Sequence, residues 1–350
     1  MRLTALLTAS AVAAGTGILI ALPAQAEGTG AAYVALGDSY ASGEGAPESH
    51  YLEGDSIAKD GVTTGCHRAY SSWAFGVAAT VQPADGILAA CSGARATHLF
   101  GPNDSYPTTE SAQIDEVGSS TRLVTLSIGG NDVGFADVVR GCVSAPGKRG
   151  RYDCRLEGRP VHDDAVRNLN KLTNLGVDTP NGPMTLAGIY HAVAERMAPD
   201  GVLVVANYPQ LFSESIEGYR DEEYSCKVGT AYGVATATVK YDDALWMNSL
   251  AQEGNAAIAN GVAEANRTLQ EAGNTQSVVL ADVDTAFEGH RICGGDKWIN
   301  GAQLAGATPK QTSMHPSVKG QEAYCRAVTA ALPGSPAPRC DFDQATQSYN

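Results

Sequence analysis

Residues 33–45 read YVALGDSYASGEG. An apolar run ends in Gly37-Asp38-Ser39, and then small residues and glycines take over. A serine at the exit of a hydrophobic strand lies at the carboxyl edge of a sheet, where open α/β folds place their ligands. If a helix starts there, its free N–H groups favour negative charge beside the serine. Serine is a poor nucleophile without a base and an oxyanion site nearby. Taken alone, the triplet is a turn with an N-cap residue, and short motifs recur by chance. The rest of the chain decides between the two readings.

Working outward, short apolar runs alternate with helix-like segments. Residues 31–37, 86–91, 122–130, 201–209 and 277–283 read as strands, and 71–81, 184–199, 244–266 and 317–332 as helices. RLVTLSIGG at 122–130 is apolar on both faces, as a central parallel strand should be. The pattern predicts an α/β fold, a three-layer α/β/α sandwich around a mostly parallel sheet. Residues 144–183 are polar and read as an insertion with one short helix near 162–175. The tail, 333–350, begins PGSPAPRC; Cys340 pins its first half, and its end is expected to be disordered.

The first residues read as an export signal. Met1-Arg2 is a basic start, 3–22 is apolar, and Ala24-Gln25-Ala26 is an A-x-A cleavage pattern, which puts Glu27 at the start of the mature chain. A transmembrane anchor is the competing reading. The segment is rich in Ala, Gly and Thr, so a cleaved signal and a secreted protein without a stable membrane anchor are preferred. The 350 residues carry 24 Lys and Arg against 38 Asp and Glu, a net charge of −14. Such a surface repels phosphate backbones and anionic membranes, so nucleic acid is not expected as a partner. Eight cysteines in an exported chain point to disulfides. No C-x-x-C pair or zinc-like Cys/His spacing is present, so neither a metal nor a cofactor is expected. About 105 pairings are open. The simplest is sequential: Cys66–Cys91, Cys142–Cys154, Cys226–Cys293 and Cys325–Cys340, each contributing on the order of 2–4 kcal/mol.

Three further stretches carry chemistry. IGGNDVGFADVV (128–139) places Asn131 after a glycine pair at the end of a central strand, where its amide can donate to an oxyanion. SMHPSVKGQ (313–321) places His315 before Pro316, just ahead of the last helix. ACSGARATH (90–98) leaves the backbone N–H of Gly93 open after a short strand. Each also reads as a plain turn. The other histidines, His50, His67, His98, His162, His191 and His290, are read as structural.

Together, in the order GDS, SGA, GGND and HP, these pieces resemble the SGNH hydrolase superfamily, the GDSL esterases and lipases, from Tyr33 to about Ala331. CHRAYSSWA, YPQLF, FEGHRIC and MHPSVKGQ are similar to its secreted actinobacterial branch. The resemblance implies a single flavodoxin-like domain over 27–332 and a cofactor-free ester hydrolase that works as a monomer on an ester or lipid. It implies Ser39 as nucleophile, His315 as base and then acid, and Ser39 N–H, Gly93 N–H and the Asn131 amide as the oxyanion hole. Asp38 would organise the turn. It also implies sequential pairing of the first six cysteines. The sequence departs from the family in one place. Thr312 stands where many members carry the acid that orients the histidine, so the main-chain carbonyl of Thr312 or Ser313 is expected to do so, with Asp296 as the alternative. The remaining functional readings are a phospholipase, a polysaccharide acetyl-esterase, a metal-dependent hydrolase, and a binding protein on an inactive hydrolase fold.

Overall fold

Strand β1 (Tyr33–Gly37) is buried along its whole length. It begins a sheet continued by β2 (Gly86–Leu88), β3 (Leu123–Ser127), β4 (Val202–Ala206) and β5 (Ser277–Ala281). Strands this apolar on both faces need cover on both sides. The computed structural model describes residues 18–20, 30–52, 65–105, 109–143, 153–220, 224–231, 235–305, 308–309, 312–334 and 337–350. The five strands run parallel in the order β2-β1-β3-β4-β5. This is the flavodoxin-like order. The chain steps outward from β1 to β2, then crosses back to β3, so the direction of winding reverses between β1 and β3. The carboxyl ends of those two strands therefore flank a crevice. Ile18–Ile20 lies antiparallel against β2 at the sheet edge. It falls within the expected leader, whose other residues and cleavage point lie outside the described residues.

The covering helices are α1 (Trp73–Val81), α2 (Phe135–Cys142), α3 (Pro160–Asn170), α4 (Leu186–Arg196), α5 (Tyr241–Glu271) and α6 (Val318–Ala331). Ser72, Thr185 and Ser317 cap α1, α4 and α6 by accepting from backbone N–H groups of the first turn. Helices α1 and α6 pack as one layer, with Trp73 stacked on Tyr324, and α4 and α5 pack as the other. One contiguous buried cluster runs from Ala31 to Cys340.

The polar segment contains α3, started by Pro160 in its first turn and continued by a π-helical turn at Lys171–Leu175. Residues 144–152 of that segment lie outside the described residues. A second sheet was not anticipated. Ser225–Ala231 and Ala235–Lys240 form an antiparallel pair, Ala302–Ala305 adds in parallel, and Thr308–Pro309 closes the edge. The tail needs a correction. Its end is ordered: Phe342–Asp343 pairs with Ser348–Tyr349, and the buried Tyr349 donates its hydroxyl to Ser71 O at 2.6 Å. Two aromatic side chains supply the apolar area that a polar composition had hidden. The structure contains the disulfides Cys66–Cys91, Cys142–Cys154, Cys226–Cys293 and Cys325–Cys340.

Candidate active site

The site is built at the exit of β1. Gly37 stands at φ 135°, and a Cβ there would lie 2.4 Å from Ser127 O, so only glycine lets β1 and β3 stay paired to their ends. Gln113 clamps the same residue, accepting from Gly37 N at 2.7 Å and donating to Gly37 O at 2.9 Å. Asp38 then caps the helical turn Ser39–Ser42, accepting from Tyr40 N at 3.0 Å. Ser39 is the first residue of that turn, and its hydroxyl oxygen lies 2.7 Å from His315 Nε2.

The other ring nitrogen, Nδ1, is 3.0 Å from Ser313 O. A carbonyl can only accept, so Nδ1 carries the proton and Nε2 is left bare to accept from serine. Met314, between the two, adopts φ 62°, a backbone region uncommon for side chains of its size. The Tyr40 hydroxyl donates to Met314 O at 2.7 Å, and its ring packs 5.2 Å from the imidazole. The histidine loop is thus held by the residue next to Ser39. Of the two carbonyls considered from sequence, Ser313 meets the ring; Thr312 O instead accepts from His315 N at 3.4 Å. Asp296 is exposed and engages Trp298 Nε1 at 3.0 Å and Lys319 Nζ at 3.5 Å.

Gly93 stands at φ 73° in the turn after Cys91. Asn131 lies in the helical turn Gly130–Val133 after β3. The two turns are stitched together: Asn131 Nδ2 donates to Ala94 O at 2.9 Å, and Ala96 N donates to Asp132 Oδ2 at 3.1 Å. Burial pushes the Asp132 carboxyl up to about 6. The Asn131 amide has two N–H bonds, so one remains for a ligand. Ser39, Gly93, Asn131 and His315 line one cavity of about 320 Å³. Among the described residues no group of three His, Cys, Asp or Glu could hold a metal ion, and no helix is long and apolar enough to cross a membrane.

Residues 35–323 match the model of the GDSL-like lipase/acylhydrolase family. The chain belongs to that family. Carboxylic-ester hydrolysis is the activity that goes with it. The chain is 28% identical to Lipase 1 of Streptomyces coelicolor over 324 residues, covering 91% of this chain and 94% of the relative. It is similar in structure to the extracellular lipase of Streptomyces rimosus, with a TM-score of 0.55 and 25% identity, covering 86% and 99% of the two chains. It is equally similar to phospholipase A1 of Streptomyces albidoflavus, with a TM-score of 0.55 and 26% identity over 87% and 100%.

Three features of this GDSL-like site were missed in the sequence. Tyr208, two residues past β4, donates its hydroxyl to Asp38 Oδ2 and accepts from Gly130 N at 3.3 Å. The apolar wall comes from α2, α5 and the π-helical turn. Glu44 is a buried carboxyl lining the cavity. Asp38 itself is more than a turn former. Burial pushes its carboxyl from an ordinary 3.8 up to about 7, against hydrogen bonds from Tyr208, Tyr40 N–H and Ser127 that favour the charged form. A folded-state value above the unfolded one means that the stability Asp38 contributes is fully present below about 4 and is lost as pH rises towards 7, by up to ~1.4 kcal/mol per pH unit. Asn cannot lose that proton. The stability deficit of Asp38→Asn relative to wild type should therefore shrink between pH 4.5 and 7.5 in urea melts; a constant deficit would contradict the assignment.

Proposed function

We propose that this chain is exported after cleavage near Ala26, folds as one domain, and hydrolyses lipid esters through Ser39 and His315. The observation that carries the reading is the 2.7 Å contact between Ser39 Oγ and His315 Nε2 at the wall of an apolar cavity. Ser39 Oγ attacks the ester carbonyl carbon as its proton passes to His315 Nε2. The carbonyl electron pair moves to oxygen, which the N–H groups of Ser39 and Gly93 and the Asn131 amide receive. Collapse expels the alcohol, which takes the proton from His315. Water, deprotonated by the same nitrogen, then attacks the acyl carbon; the ester bond to Ser39 breaks, the acid leaves, and Ser39 Oγ takes the proton back from Nε2. The Ser313 carbonyl fixes the tautomer as a carboxylate would, with less charge to stabilise imidazolium.

Ile128, Val133, Phe135, Leu172, Leu250 and Ile258 give the cavity an apolar lining suited to an acyl chain rather than to acetate on a sugar. The likeness to a phospholipase A1 favours a phospholipid as the second substrate to try. A series of nitrophenyl esters from acetate to palmitate, run with phosphatidylcholine vesicles, tests the reading. Esters with chains of several carbons should exceed acetate in kcat/KM by about tenfold or more, one extra buried methylene contributing on the order of 0.8 kcal/mol. Best turnover on acetate would overturn the lipid assignment.

A further inference from the structure

The reaction as derived makes no use of Glu44, although it is 1% exposed and lies at the junction of all the site's parts. Its backbone N–H donates to Ser39 O at 3.1 Å. Its neighbour Gly45 stands at φ 101°, and a Cβ there would fall 2.9 Å from the Cβ of His315 and 2.4 Å from Pro316 O. Residues 44–45 are therefore pressed against the histidine loop. Glu44 Oε2 accepts from the Ser92 hydroxyl, one residue before Gly93, and lies 3.2 Å from His67 Nδ1. His67 follows Cys66, whose disulfide to Cys91 closes the same turn. Oε1 is buried with no hydrogen-bond partner among the described residues.

A carboxylate kept only for structure would be expected to satisfy both oxygens, because a buried unpaired acceptor is costly. Burial pushes the Glu44 carboxyl up, but the His315 and His67 imidazoles and the Ser92 hydroxyl outweigh it and hold the group below its ordinary range. The group lines the same cavity as a histidine whose own partner, Ser313 O, is neutral.

We infer that Glu44 is a positioning residue that supplies, from the nucleophile's own loop, the negative charge the histidine's neutral carbonyl partner lacks, while anchoring the Ser92-Gly93 turn. The inference rests on Ser39 and His315 acting as proposed above. When His315 accepts the serine proton it becomes imidazolium, and an anion lining the same cavity stabilises it more than it stabilises the neutral ring. An interaction of that kind in a partly screened site corresponds to about 10–100-fold in rate.

The test compares Glu44→Gln and Glu44→Asp with Ser39→Ala in the full protein on one nitrophenyl ester. Gln keeps the shape and an acceptor for Ser92; Asp keeps the charge. The expected result is a kcat at least tenfold lower in Glu44→Gln, KM within about threefold, and a kcat for Glu44→Asp at least fivefold above that of Glu44→Gln. Any other pattern overturns the assignment, because a shape role would spare Glu44→Gln, which keeps the shape, and fall on the shorter Glu44→Asp. If Glu44→Gln does not fold, Glu44→Ala takes its place: a kcat at least fivefold below that of Glu44→Asp supports the charge role, and equal kcat in the two overturns it. Activity surviving in Ser39→Ala would instead overturn the serine reading itself.

Discussion

Ser39→Ala is expected to lower ester turnover by about 10⁴–10⁶-fold while leaving the melting temperature within a few degrees of wild type. The hydroxyl is the only atom removed. Among the described residues its hydrogen bond is the one to His315 Nε2 at 2.7 Å. The turn that carries it is fixed by the Asp38 cap and by the Gln113 clamp on Gly37, both untouched. Serine and histidine act as a unit, since the serine is not a nucleophile until its proton has somewhere to go. His315→Ala should therefore fall by a similar factor, and the double variant should be no worse than either single one. Additive losses would mean that the two side chains do not serve the same step. Stopped assays on one ester, with protein concentration checked by active-site-independent absorbance, are enough to read the difference.

Asn131→Ala should lose about 10²–10³ in kcat, with KM changed far less, because the amide meets negative charge that exists only once the carbonyl has been attacked. Its structural cost is small and separable. The variant loses the hydrogen bond from Nδ2 to Ala94 O, and such a bond contributes about 1 kcal/mol. The Ala96 N–H to Asp132 contact still ties the two turns together. A melting curve close to wild type with kcat reduced by those factors is the expected pair of results. Unchanged kcat would remove Asn131 from the site.

The two predictions concern residues that could be read directly from the chain, and the reason is local. Gly37-Asp38-Ser39 and Gly130-Asn131-Asp132 must turn sharply at the ends of buried strands, so glycine and short polar residues mark them. His315 was marked by Pro316 and the cap of α6. The parallel sheet was legible because its strands are apolar on both faces, and the order of winding that brings β1 and β3 together follows from the usual geometry of such sheets. What stayed hidden has equally physical causes. The Ser313 carbonyl leaves no mark, since every residue has one. Glu44 is one of 38 acidic residues, and nothing in its neighbours distinguishes a buried carboxyl from a solvated one. Tyr208 reaches Asp38 from a loop 170 positions away. The second sheet is made of short strands of Thr, Val and Ala whose partners lie far apart in sequence. In the tail, two aromatic residues outweighed a polar composition.

The central claim is that Ser39 is the residue acylated during turnover. Treating the purified protein with a fluorophosphonate and mapping the adduct by peptide mass spectrometry tests it most directly. One modified peptide is expected, carrying the label on Ser39, with activity lost in step and no label in Ser39→Ala. Full loss of activity with the label on another residue, or undiminished hydrolysis by protein labelled at Ser39, would contradict it.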